Sequence, residues 1–134
     1  LKNNIMRTIK FRAWNKKTIE MNKYVEIYCY KDGSTGFSAG NENNNPIGNS
    51  ENFELMQFTG LQDKNGIDIY EGDIVNFGNK NNVKVVFNNG CFNVFDEPLG
   101  WDFTPDFDND YKPIKTNFKY CEVIGNIHQN PELI

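Results

Sequence analysis

The sequence predicts a mainly β protein, and three observations carry that expectation. Short runs of β-forming residues recur along the chain, from RTIKFRAW (Arg7 to Trp14) to FKYCEVIGNI (Phe118 to Ile127). Turn dipeptides separate them: Asp32-Gly33, Asn65-Gly66 and Asn89-Gly90. No window long enough for a helix shows a capped apolar repeat near 3.6 residues. Residues Gly60 to Ile127 give closely spaced strands ending in a return strand, the pattern of a small SH3-like or related β-barrel in the C-terminal half. Residues 6–58 are then an N-terminal β-sheet lobe packed on it, with an Asn-rich loop at 40–52. Residues 59–134 form the barrel-like lobe. A length of 134 residues also suits a single compact domain.

Each element has a local reason. In RTIKFRAW, Ile9, Phe11 and Ala13 are expected on one face and Thr8, Lys10, Arg12 and Trp14 on the other, the period of a half-buried strand. After a polar NKKT turn, YVEIYCY (Tyr24 to Tyr30) is rich in β-formers. GNENNNPIGNSEN has almost nothing to bury and reads as a loop or seam. FELMQF (Phe53 to Phe58) is the next strand. Asn65-Gly66 then predicts a hairpin of type I′, in which both turn residues take positive φ. Ile67 and Ile69 alternate, Tyr70-Glu71-Gly72-Asp73 bends the chain, and Ile74-Val75 enter the core. VKVVF and CFNVF flank Asn89-Gly90. An aromatic, acidic loop spans Asp96 to Asn117, before the return strand.

Composition narrows the function classes. Aromatic content of 14% helps a chain with only 38% hydrophobic residues to hold together. No apolar run approaches a membrane span and no signal-peptide core is present, so a soluble protein of the cell interior is expected. Cys29, Cys91 and Cys121 lack CxxC spacing, and each lies in a strand-like run. They read as reduced core residues, not as a disulfide framework or thiolate metal site. A net charge of −4 disfavours binding along phosphate backbones. Positive charge nevertheless gathers between Met6 and Lys31, and negative charge between Asp96 and Asp110.

Three blocks resemble the YopX family of small proteins encoded by bacteriophages and prophages. They are IKFRAWN (Ile9 to Asn15), LMQFTGLQDKNGIDIYEGDIV (Leu55 to Val75) and EVIGNIHQNPEL (Glu122 to Leu133). They occur in the family's order and span nearly the whole chain from Met6. Asn15 stands where Asp commonly follows the tryptophan, and Phe58 where Tyr is common. The resemblance implies a phage origin, action in the cytoplasm of a bacterial host, and an accessory role. It brings no activity, cofactor or catalytic set.

The residues themselves point away from catalysis. Glu71 and Asp73 are close enough in sequence to raise one another's pKa, as acid–base chemistry needs, but no further partner lies near. A structural corner is the better reading: Gly72 bends the chain and Asp73 holds backbone amides. Asp106, Asp108 and Asp110 have the spacing that opens a calcium loop, yet Tyr111 and Asn117 stand where it needs Gly and Glu. A weak, irregular divalent site is what remains of that motif. His128 is the only histidine, and no phosphate-binding glycine loop is present. Neither a metal, a cofactor nor a catalytic residue is assigned.

The expected interaction surface is Arg7, Lys10, Arg12 and an exposed Trp14, a composition like that of interface hot spots. Trp101, Phe103, Phe107 and Tyr111 offer a second aromatic surface, or a lid on the core. The partner is expected to be a host or phage protein. Head-to-tail homo-oligomerisation between the basic and acidic segments is a further expectation. The alternatives are a nucleic-acid-binding regulator, with Arg12 and Trp14 stacking on bases, and sequestration of a small nucleotide between subunits.

Overall fold

A computed structural model describes residues 6–40, 50–78, 82–88, 90–96, 101–103 and 118–134. The described strands are β1 (Phe11–Asn15), β2 (Glu20–Asn22), β3 (Tyr24–Cys29), β4 (Thr35–Gly40), β5 (Phe53–Gln62), β6 (Asp68–Tyr70), β7 (Asp73–Asn76), β8 (Asn82–Asn88), β9 (Cys91–Asp96), β10 (Trp101–Phe103) and β11 (Glu122–Asn126). Three single 3-10 turns are the only helical segments among the described residues, and none is long or apolar enough to cross a membrane. The all-β expectation holds.

Side chains that imitate backbone acceptors shape the turns. Between β1 and β2 the Asn15 Oδ1 accepts from the amides of Lys17 (2.9 Å) and Thr18 (3.2 Å), and Ile19 N donates to the Asn15 carbonyl at 2.8 Å. This closure leaves Ile19 at φ 60°, the only described non-glycine residue with positive φ. The hairpin at Asn65-Gly66 forms, but not as type I′. Only Gly66 has positive φ (79°), and Gly66 N donates to the Asp63 carbonyl at 3.0 Å. An ordinary turn over Lys64-Asn65 followed by a left-handed glycine requires one special residue where type I′ requires two.

Three sheets form among the described residues. One has the order β2-β1-β5-β6, one the order β10-β9-β8-β7-β11, and β3 pairs with β4 alone. All the registered pairs are antiparallel. The five-stranded sheet is open: β11 returns to pair with β7, and β10 ends the other side without meeting it. This corrects the expected SH3-like barrel. The sheet of the expected N-terminal lobe is also not confined to that lobe. The ten-residue β5 pairs with β1 through Phe53–Gln57 and goes on beside β6, so one sheet contains strands from both halves. By compactness the chain divides into Leu1–Phe58 and Thr59–Ile134, with the division inside β5.

Each unit has its own core. In the second, Ile69, Val75, Val83, Val85, Val94, Phe118 and Cys121 pack together, with Phe77 and Val123 at the margin. In the first, Ala13, Ala39 and Phe53 pack with the half-buried Val25, Phe37 and Leu55. The segment Thr35–Gly40, in which no strand is expected from sequence, is β4, and its Ala39 is fully buried.

Candidate functional site

At the glycine-centred corner the two carboxylates differ in burial, Glu71 being half-buried and Asp73 buried. Asp73 is 1% exposed, and its Oδ2 accepts from the amide of Tyr70 at 2.7 Å. Gly72 lies between strands: its amide donates to the Val85 carbonyl (2.8 Å) and its carbonyl accepts from Ile127 N (2.9 Å). With φ at 79°, Gly72 adopts a conformation that strains other residues. Asp73 thus begins β7, and the core residues Ile74 and Val75 follow it inward.

A second carboxylate has a similar task. Asp63 is 5% exposed. Its Oδ1 accepts from Asn65 N (2.8 Å) and Ile67 N (2.9 Å), and its Oδ2 from Val123 N (3.0 Å). Burial by itself would raise the pKa of this group. The three amides, from Val123, Ile67 and Asn65, together with the Lys64 charge, outweigh burial and hold it below the ordinary 3.8. Lys64 adds a backbone bond to the Cys121 carbonyl and an ion pair with Glu122. The β5–β6 hairpin is thereby fastened to the chain at β11. Beside it the Cys121 thiol is pushed up to about 11, first by burial and then by the Asp63 charge.

The C-terminal signature is also a set of ties. Asn126 Oδ1 accepts from the amides of His128 and Gln129 (3.1 and 3.0 Å), and its Nδ2 donates to Gln129 Oε1 at 2.6 Å. Asn130 closes on Gly125, where a Cβ would lie 2.5 Å from Asn130 Oδ1. Asn82 Nδ2 donates to the Leu133 carbonyl at 2.8 Å, drawing the chain end onto β8. Among the described residues no group of three or more His, Cys, Asp or Glu is placed to hold a metal ion. The acidic run with Asp106, Asp108 and Asp110 lies outside the described residues.

The surface expected from sequence is only partly a surface. Trp14 is 6% exposed and is not an outward anchor. Its strand β1 is central, flanked by β2 and β5, and both Ala13 and Trp14 are buried at the end where the two neighbours overlap. Alternation assigns one face of a strand to solvent, but Ala13 and Trp14 point to opposite faces and both are buried, so both faces of β1 are covered at this end. Lys10 and Arg12 are half-buried. The Lys10 Nζ lies 4.3 Å from the centre of the Phe58 ring, and the Arg12 Nε donates to Met56 Sδ at 3.3 Å. Their stems and charges cover apolar residues. Arg7 is exposed, as is Ile9 at 62%, contrary to the inward face expected for it. Trp101 and Phe103 belong to β10, paired with Asp96 and Val94, while Phe107 and Tyr111 lie outside the described residues. Cys29 and Cys91 are exposed, against the expectation of three core thiols. Each sits where β3 or β9 adjoins a turn, beyond the packed middle of its hairpin.

The structure exposes a different aromatic face. In the β3–β4 register Tyr24, Glu26 and Tyr28 stand opposite Gly40, Ser38 and Gly36, so they share the face turned away from Val25 and Ala39. Tyr24 is 49% exposed, Tyr28 42% and Tyr30 58%. The Tyr28 hydroxyl donates to Glu26 Oε2 at 2.8 Å and meets Ser38 Oγ at 3.0 Å. The signal for this face was present in sequence as aromatics two residues apart around Glu26, opposite a segment of small residues.

Comparison with known proteins agrees with this architecture. Residues 10–134 match the family described as YopX protein. Among solved structures, protein EF1440 from Enterococcus faecalis is similar at 26% identity and a TM-score of 0.54, over 96% of this chain and 99% of that one. The protein yopX from Bacillus subtilis is similar in fold, with 23% identity, a TM-score of 0.55 and the same coverage. No curated protein matches the sequence.

Proposed function

The chain belongs to the YopX family of phage- and prophage-associated proteins, and on that footing we propose that it is a binding module that engages a host or phage protein without turning over a substrate. One observation supports the reading most. The carboxylates buried within the central family block, Asp63 and Asp73, accept backbone amides. An acid–base catalyst needs a carboxylate free to meet a substrate proton, and these two are engaged in holding the chain. The chemistry left to the molecule is that of its outer faces, acting in the cytoplasm of the bacterial host.

The experiment is recovery of tagged protein from host cells in which the phage or prophage is active, with mass spectrometry of what accompanies it. The expected result is one protein enriched in near-stoichiometric amount and retained in moderate salt. Recovery of nucleic acid that is released steeply by salt, or of a small molecule retained through purification, would overturn the proposal.

A further inference from the structure

We infer that the outer face of the β3–β4 hairpin receives a cationic segment of the partner protein, an Arg or Lys side chain seating between Tyr24 and Tyr28 with its charge on Glu26. This refines, and rests on, the binding-module reading. The register places the three side chains in a row on one strand, with glycines opposite both tyrosines. No β4 side chain larger than serine therefore flanks either ring, and the space over Gly36, opposite Tyr28, is filled by the Tyr30 ring. Tyr30 lies against Gly36, where a Cβ would be 3.2 Å from its ring edge and hydroxyl, and it closes one end of the row. Glu26 is exposed and its carboxylate is oriented by the Tyr28 hydroxyl.

Charge complementarity selects the occupant. Ring faces attract cations through their quadrupole, and a carboxylate between two rings adds direct Coulomb attraction at the same point. A planar guanidinium can stack on a ring while bonding a carboxylate, which makes Arg the better fit. An anionic occupant, a nucleic-acid phosphate above all, would be brought against Glu26. The nearest lysines in sequence, Lys23 and Lys31, lie beyond the two ends of β3, and Glu26 is the one charged residue within it. Exposed tyrosines with a fixed polar group also bind at low entropic cost, because each has only two side-chain torsions to order.

The test is a nuclear magnetic resonance titration of the full chain with three probes: a Gly-Arg-Gly-Arg-Gly peptide, its Glu counterpart, and oligothymidylate. The arginine peptide should shift the amides of residues 24–29 and 35–40 saturably, and the other two should not. Glu26→Gln keeps shape and fold and should weaken the arginine peptide at least five-fold; Tyr24→Ala should do the same. Absence of saturable shifts, equal binding by Glu26→Gln, or oligothymidylate binding at these amides would overturn the inference. So would a wild-type dimer that Glu26→Gln dissociates in light scattering, which would make a second copy the occupant. If the recovery from host cells is repeated with Glu26→Gln, undiminished capture overturns this surface and leaves the binding-module reading standing. Failure of the wild type to capture any protein overturns that reading itself.

Discussion

β7 buries Asp73, Ile74 and Val75 within four residues, whereas β3 buries none of its six and leaves five exposed. Both are built from good strand formers. They differ in their neighbours. β7 is paired on both edges, by β8 and β11, and its Val75 packs with Val83, Val85 and Cys121. Among the described residues β3 is paired with β4 alone, and of its side chains only Val25 is drawn into a core. Strand-forming residues make a sheet; what covers that sheet decides which of them stabilise it. Aromatic side chains that form a strand without being covered are available for contact with another molecule.

The largest effect separating the two regions is expected from cavity formation. Ile69→Ala, at a fully buried position of the second core, should lower unfolding free energy by about 3 kcal/mol in urea. Val25→Ala, at the half-buried position of β3, should lower it by about 1 kcal/mol. Equal losses would remove the distinction between a supporting and a presenting strand.

Next is the carboxylate tie. Asp63→Ala leaves the amides of Asn65, Ile67 and Val123 without their acceptor and should lower stability by about 2 kcal/mol. Because the folded-state pKa of Asp63 is depressed below 3.8, its contribution is present above that value and is lost as pH falls through the lower, folded pKa. Acid unfolding of Asp63→Ala should therefore show a weaker pH dependence below about pH 4 than the parent. Identical acid profiles would mean that Asp63 is not the tie.

How far these roles were legible in the sequence depended on whether a residue acts locally. Gly72, Gly66 and the strand at Phe53 could be read from adjacent residues, because turn geometry and alternation are local. β4 could not, since Gly36, Ser38, Ala39 and Gly40 look like loop yet are small so that Tyr30 and the core can approach. The burial of Trp14 escapes a reading by alternation because what covers the second face of β1 is supplied only by the fold. The same is true of Asp63, whose third amide comes from Val123, and of Asn82, which holds Leu133. Of the docking face, composition was visible, but which tyrosines stand together followed only from the β3–β4 register.

A change of opposite sign is expected at Ile19. This exposed, β-branched residue holds a left-handed conformation, and Ile19→Gly should raise stability by about 1 kcal/mol. A loss would show that its side chain contributes contacts exceeding the backbone strain. The smallest perturbation is chemical labelling. A thiol reagent at neutral pH should modify Cys29 and Cys91 in the folded protein and Cys121 only on unfolding, since Cys121 is buried and its thiol is pushed up to about 11. Rapid modification of all three would contradict the burial of β11's approach.

The most direct measurement compares the urea unfolding of Asp73→Ala with that of the double variant Tyr24→Ala/Tyr28→Ala. If family carboxylates hold the chain while the hairpin tyrosines face outward, Asp73→Ala should lose about 2 kcal/mol or more, and the double variant less than about 1 kcal/mol. An Asp73→Ala protein as stable as the parent, or a double variant that unfolds first, would contradict the account.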